Sequence, residues 1–93
     1  RSQSDYLELA RFFNTIIVTE IRQMDETRDD VARRFVLLID VLYDHHVKLI
    51  CSAEVSPDQL YLGSRLSFEF ERTVSRLLEM QSSEYLAQAH SQQ

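Results

Sequence analysis

Apolar residues recur along this chain with two different periods, and the switching between them marks out the elements. Tyr6, Leu9, Ala10 and Phe13 stand at i, i+3, i+4 and i+7 behind Ser2-Gln3-Ser4-Asp5, a spacing and start signal that predict a short first helix. After Asn14, the run Thr15-Ile16-Ile17-Val18-Thr19-Glu20-Ile21 is dense in β-branched residues around a continuous apolar centre, which predicts a strand buried on both faces. Residues 22–28 are polar, and Thr27-x-x-Asp30 offers a second capping box ahead of a run of helix formers. A long helix is expected from about Asp29. At about 100° per residue, Val31, Ala32, Phe35, Leu38, Ile39 and Leu42 share one broad face, with Arg33, Asp40 and Asp44 opposite. Leu37 and Val41 break this partition: they lie one turn apart among the charged residues, and are candidates for a second contact surface toward a partner.

Val47-Lys48-Leu49-Ile50-Cys51-Ser52-Ala53 reads as a second strand, and two strands joined through a helix of this length pair in parallel. The fold class is therefore α/β, with a βαβ core over residues 14–54 flanked by an N-terminal and a C-terminal helix. A loop over 55–67 follows, with one helical turn at Pro57-Asp58-Gln59-Leu60. The last helix is expected over 68–89, its stripe formed by Phe70, Val74, Leu77, Leu78, Gln81 and Tyr85, and residues 90–93 are expected to fray. Two parallel strands leave open edges, which folded proteins avoid. Further strands are thus expected from another part of the polypeptide, from a partner, or from a short pairing by residues 66–70. The sheet reads as part of a larger one.

Composition narrows the class. A chain of 93 residues makes one small domain whose folding buries only about 60 to 65 per cent of its surface. One Gly and one Pro, with 44% hydrophobic residues, describe an ordered chain rather than a linker. The net charge of −5 argues against nucleic acid or anionic lipid as an overall partner. A single cysteine, Cys51, cannot form an intrachain disulfide, and its predicted strand would bury it as a small apolar residue. No apolar run approaches the roughly 20 residues that span a bilayer, and no signal peptide is present, so a soluble intracellular protein is expected. The absence of an initiator Met leaves room for a fragment.

Three stretches carry a resemblance. Ala32-Arg33-Arg34-Phe35 with Leu38-Ile39-Asp40, Val47-Lys48-Leu49 with Ser52-Ala53-Glu54, and Ser75-Arg76-Leu77 with Glu79-Met80-Gln81-Ser82 together resemble the C-terminal part of the AFG-like P-loop ATPases, from Arg1 to about His90. The resemblance implies a larger AAA+-type parent that uses ATP and Mg to act on protein partners, with its phosphate-binding and magnesium-binding motifs upstream of Arg1. In the bacterial branch the partners implied are those of the division ring, in the cytoplasm near the inner membrane. A homo-oligomer is also compatible with it. No G-x-x-x-x-G-K-[ST] occurs here, and one glycine cannot build a phosphate-cradling loop. Val18-Thr19-Glu20 echoes the end of a Walker B strand, but Thr19 stands where the metal-binding Asp would be needed, so no catalytic residue and no metal site are expected within these 93 residues.

Within that frame, Arg72 and Arg76 lie one turn apart on the polar face of the last helix and could reach one anion, as a nucleotide-sensing pair would. The simpler alternative pairs Glu69 with Arg72 and Arg76 with Glu79 at i, i+3. Glu20, Ser52 and Glu54 fall at the C-terminal ends of the parallel strands, where open α/β sheets place ligands; capping and solvation are the competing account. Ser52 lacks a G-x-S-x-G elbow, which argues against a nucleophile. A rival reading is an autonomous, non-enzymatic interaction module.

Overall fold

The computed structural model describes residues 3–87, so Ser2 and the tail at 90–93 lie outside the described residues, as do the last residues of the helix expected to 89. Helix α1 (Gln3–Phe12) leads into strand β1 (Thr15–Ile21), helix α2 (Asp29–Asp44), strand β2 (Lys48–Ala53), helix α3 (Ser67–Glu79) and a short helix α4 (Ser83–Ala87). The strands pair in parallel with Thr15 opposite Lys48 and Ile17 opposite Ile50. The expected βαβ order is therefore present, and among the described residues the sheet has two strands. α2 packs against both α1 and α3. Ile39, Leu42 and Val47 are fully enclosed, together with Ala10, Ala32 and Leu60.

The strands are not buried on both faces. Ile16, Val18 and Leu49 turn inward, while Ile17 and Ile50 sit side by side on the outer face at 66% and 57% exposure. The apolar run of β1 foretold two covered faces, but the described chain supplies layers for only one. Cys51, expected to be buried, is exposed as well. Phe13, expected on the buried face of α1, is also exposed, because the helix ends at Phe12 and the chain turns into β1.

α2 begins and ends where the pattern placed it, but its buried side is wider. Val36 and Val41 are buried and Val31 is exposed. Since α2 is packed from two sides, the second surface ascribed to Leu37 and Val41 is occupied from within: Val41 is 4% exposed and Leu37 packs, half-buried, on the same core. These two residues are not an available partner surface. The Thr27 capping box is also replaced. Asp25 caps a 3-10 turn at Glu26–Arg28, its carboxylate accepting from the Thr27 hydroxyl at 2.5 Å and the Thr27 amide at 2.9 Å, and those hydrogen bonds hold its carboxyl below the usual range.

The C-terminal end of α2 closes as a Schellman motif. The Val47 amide donates to the Leu42 carbonyl (3.0 Å) and the His46 amide to that of Tyr43 (3.2 Å), with His46 at φ 56 where glycine is usual. Tyr85 reaches this corner from α4, its hydroxyl lying 3.0 Å from the Leu42 carbonyl oxygen and 2.8 Å from that of Val47. To place Tyr85 there the last helix breaks. The Ser82 hydroxyl accepts the Tyr85 amide and starts α4, so Met80 is buried and Leu78, expected in the stripe, is 56% exposed.

Residues 66–70 do not pair as a strand, because α3 begins at Ser67. Instead Met24 pairs with the 60–62 segment: its amide donates to the Leu60 carbonyl and its carbonyl accepts from the Leu62 amide, both at 2.7 Å. Tyr61 is then fixed by donating to Asp29 (2.8 Å), accepting the Leu66 amide (3.1 Å) and stacking on Phe70. Gly63 lies under that ring, and a Cβ there would meet the Tyr61 hydroxyl and ring. Because Tyr61 is pinned and cannot swing aside, Gly63→Ala is expected to destabilise the fold by about 1–3 kcal/mol, measured by chemical denaturation against Ser64→Ala as an exposed neighbour.

Candidate functional site

Two constellations hold the singled-out residues. In the first, α2 and α3 meet through their polar faces. Asp40 receives Arg72 at 3.2 Å on one carboxylate oxygen and Arg76 on the other. The shared anion foreseen for the two guanidinium groups exists, and it is a side chain of the same chain. The i, i+3 pairs with Glu69 and Glu79 expected within α3 are not what holds these arginines: Glu79 instead accepts the Tyr43 hydroxyl at 2.9 Å. The Arg76 guanidinium lies 4.7 Å from the centre of the Tyr43 ring, a cation–π contact, and Tyr43 stacks on Tyr85 with ring centroids 6.0 Å apart. His46 tilts against Tyr85, and the His45 ring lies 3.1 Å from the Val41 carbonyl at the helix end, so the adjacent histidines diverge.

Arg76 and Asp40 are about four-fifths removed from solvent, whereas half of Arg72 remains exposed. The first pair is therefore the weightier. Removing one partner strands a half-buried charge, while an exposed ion pair contributes little. The sequence pointed to the two arginines but not to Asp40, Tyr43 or Tyr85. The available signal was complementarity: Asp40 and Tyr43 are three apart on α2, Arg72 and Arg76 four apart on α3, so two polar stripes can face each other.

The second constellation lies at the carboxyl ends of the strands. Between Val18 and Ile21 the register shifts, so that Thr19 and Glu20 of β1 stand against Ser52 alone, a β-bulge. Glu20 has φ 58, in the left-handed region, and its amide donates to the Ser52 hydroxyl at 3.0 Å. Glu54 accepts the Gln23 amide at 2.9 Å. Glu20, Ser52 and Glu54 thus line one open cavity of about 300 Å3, with Arg22 beside them. The parallel order of the strands puts these three at one end, and the bulge that aims them has no sequence signal of its own. As it stands, the cavity does not fit a nucleotide with its metal: two carboxylates face it, and the only glycine is elsewhere, beneath Tyr61. Among the described residues no three His, Cys, Asp or Glu side chains are placed to hold a metal ion, and no helix is long and apolar enough to cross a membrane.

The fold and these strand ends define an open, parallel α/β module of the kind in which ligands sit beyond the carboxyl ends of strands. Residues 1–89 match the family described as AFG1-like ATPase, and the chain belongs to that family. It is 49% identical over 90 residues to the cell division protein ZapE of Escherichia coli K12, covering 97% of this chain and 24% of that protein. It is 31% identical over 113 residues to lactation elevated protein 1 homolog B of Danio rerio, covering 87% of this chain and 22% of that protein. The chain thus spans about a quarter of the length of these relatives. No solved structure matches it significantly.

Two outcomes test the polar contact between α2 and α3. Arg76→Ala is expected to cost about 1–3 kcal/mol and Arg72→Ala less than about 1 kcal/mol. In a double-mutant cycle with Asp40→Asn the coupling should reside with Arg76, and equal coupling for both arginines would contradict the burial argument. The second outcome concerns alkali. Enclosure pushes the Tyr85 hydroxyl up to about 12, so the folded state holds this proton more tightly than the unfolded chain does. Its stabilising effect, on the order of 3 kcal/mol, is complete below about pH 10 and lost as pH rises toward 12. Tyr43, raised mainly by its bond to Glu79, acts in the same direction. Unfolding followed by circular dichroism across this range should be steep, and shallower for Tyr85→Phe.

Proposed function

We propose that this chain is the C-terminal α/β module of a ZapE-like, AFG-type ATPase, which hydrolyses ATP with Mg2+ to act on protein partners in bacterial cell division. In this reading the phosphate-binding and metal-binding motifs lie in the upstream ATPase region of the same protein. It works in the cytoplasm, at the periphery of the inner membrane, and the division ring supplies its partners. The observation that carries the proposal is the uncovered parallel sheet, with Ile17 and Ile50 on its outer face and two open edges. Exposed parallel sheets are rare because both faces normally need cover. A module that completes a larger nucleotide-binding sheet accounts for this, with the nucleotide itself held by the upstream region and Glu20, Ser52 and Glu54 as polar strand-end residues beside it.

Arg76, with Arg72 beside it, is the nucleotide-sensing candidate of the module. Asp40 is then the resident anion that Arg76 must release to meet a phosphate. In the full-length protein, Arg76→Ala is expected to lower ATP turnover about tenfold or more while nucleotide binding holds. Asp40→Asn, which frees the guanidinium, should leave turnover at or above the wild-type rate. Equal losses in both variants, with parallel drops in melting temperature, would make the contact purely structural and end the sensing role. The 93-residue chain alone should show no turnover above background.

A further inference from the structure

An open cavity of about 400 Å3 lies between the loop after β2 and α3, away from the strand ends. Its floor is apolar and firm. Tyr61 and Phe70 stack with ring centroids 5.2 Å apart, Tyr61 is held at its hydroxyl by Asp29 and the Leu66 amide, and Val74 continues the surface along α3. Gly63 keeps the opening clear, since its missing Cβ is what lets the Tyr61 ring lie flat there. The charged residues lining the cavity are two carboxylates, Asp58 and Glu71. Neighbouring positions in the chain add exposed apolar surface: Leu62 is 61% exposed and Phe68 is 79% exposed.

We infer that this cavity docks a protein segment that places an aliphatic side chain beside a lysine or arginine. An apolar residue, or the methylene stem of the base, covers Tyr61, Phe70 and Val74, and the cation meets Asp58 and Glu71. The charge pattern selects this occupant. Phosphate-bearing ligands and acidic segments are repelled by the two carboxylates. The pinned ring pair makes the site largely pre-formed, which lowers the ordering cost of binding. The inference does not depend on the ATPase reading, because none of these residues is at the strand ends or in the Asp40 contact.

The test is fluorescence anisotropy on the full-length protein with a short labelled peptide carrying Leu next to Arg in a Gly-Ser background, and a companion with Glu in place of Arg. Saturable binding of the first and not the second is expected, weakening as salt is raised. Glu71→Lys, a reversal at an exposed position, should weaken binding by about tenfold or more, and Asp58→Asn by a smaller factor, with unchanged thermal melting for both. Equal affinity in Glu71→Lys would overturn the proposal. So would a preference for the acidic peptide, or no binding at all, which is the result expected if the rest of the protein or another copy already fills the cavity.

Discussion

Parallel pairing of β1 with β2 is the constraint on which the remaining structure depends. A parallel neighbour cannot be reached by a tight turn; the chain must travel back the full length of the strand before it can start the next one. Seven residues of β1 span roughly 23 Å, and sixteen residues of α2 return roughly 24 Å. The match makes α2 the rod that spaces the strands, so both of its ends have to stop at defined residues. The lower end is set by the turn after Asp25. The upper end is set by the Schellman corner at Leu42 to Val47, which the Tyr85 hydroxyl closes from α4. Burying a phenol there requires a partner for its O–H, and the two carbonyls supply it.

A rod with two packed sides needs to be kept from turning about its axis. Apolar contacts do this weakly because they are non-directional. The Asp40 carboxylate, gripped by guanidinium groups from successive turns of α3, is directional in a way that Phe35 against Phe70 is not. Its net contribution to stability is modest, since desolvation offsets much of the attraction. What it specifies is which face of α2 meets α3. The Tyr43 ring under Arg76 and the Glu79 carboxylate on Tyr43 extend the same registration to the end of α3, and the stacking of Tyr43 on Tyr85 carries it to α4.

Much of this was legible in the chain and some was not, for physical reasons that differ by site. The strands, the long helix and their order follow from β-branched runs and a 3.6-residue period, which are local signals. The strand-end grouping of Glu20, Ser52 and Glu54 follows from order alone, because parallel strands put their carboxyl ends together. The break before α4 was hidden: Gln81-Ser82-Ser83 sustains a helical pattern, and only the pull of Tyr85 toward the α2 corner shows why Ser82 caps a new helix. Val41 was misplaced because a projection onto one buried face assumes one neighbour, and α2 has two. The partner of Arg76 was missed because it is 36 residues away, beyond any spacing rule. Family resemblance, by contrast, rested on short ordered blocks, and the match over residues 1–89 bears it out.

The sheet combines two features that neither packing nor strand pairing within the described residues requires. Ile17 and Ile50 form an apolar pair on an uncovered face, which loses the benefit of burial for two of the larger side chains of the strands. One turn of chain further on, Glu20 sits in a left-handed conformation that costs a non-glycine residue on the order of 1 kcal/mol or more. Its amide is held by Ser52 and the chain beyond it by Glu54 and the Met24 pairing, so the conformation is over-determined from three directions. Strain that is held this firmly at the carboxyl end of a parallel strand re-aims a side chain; a regular ladder through Thr19 and Glu20 would have been the lower-energy local choice. The uncovered face and the strained end lie on the same two strands. A neighbouring layer that covers Ile17 and Ile50 would recover the burial that this face forgoes.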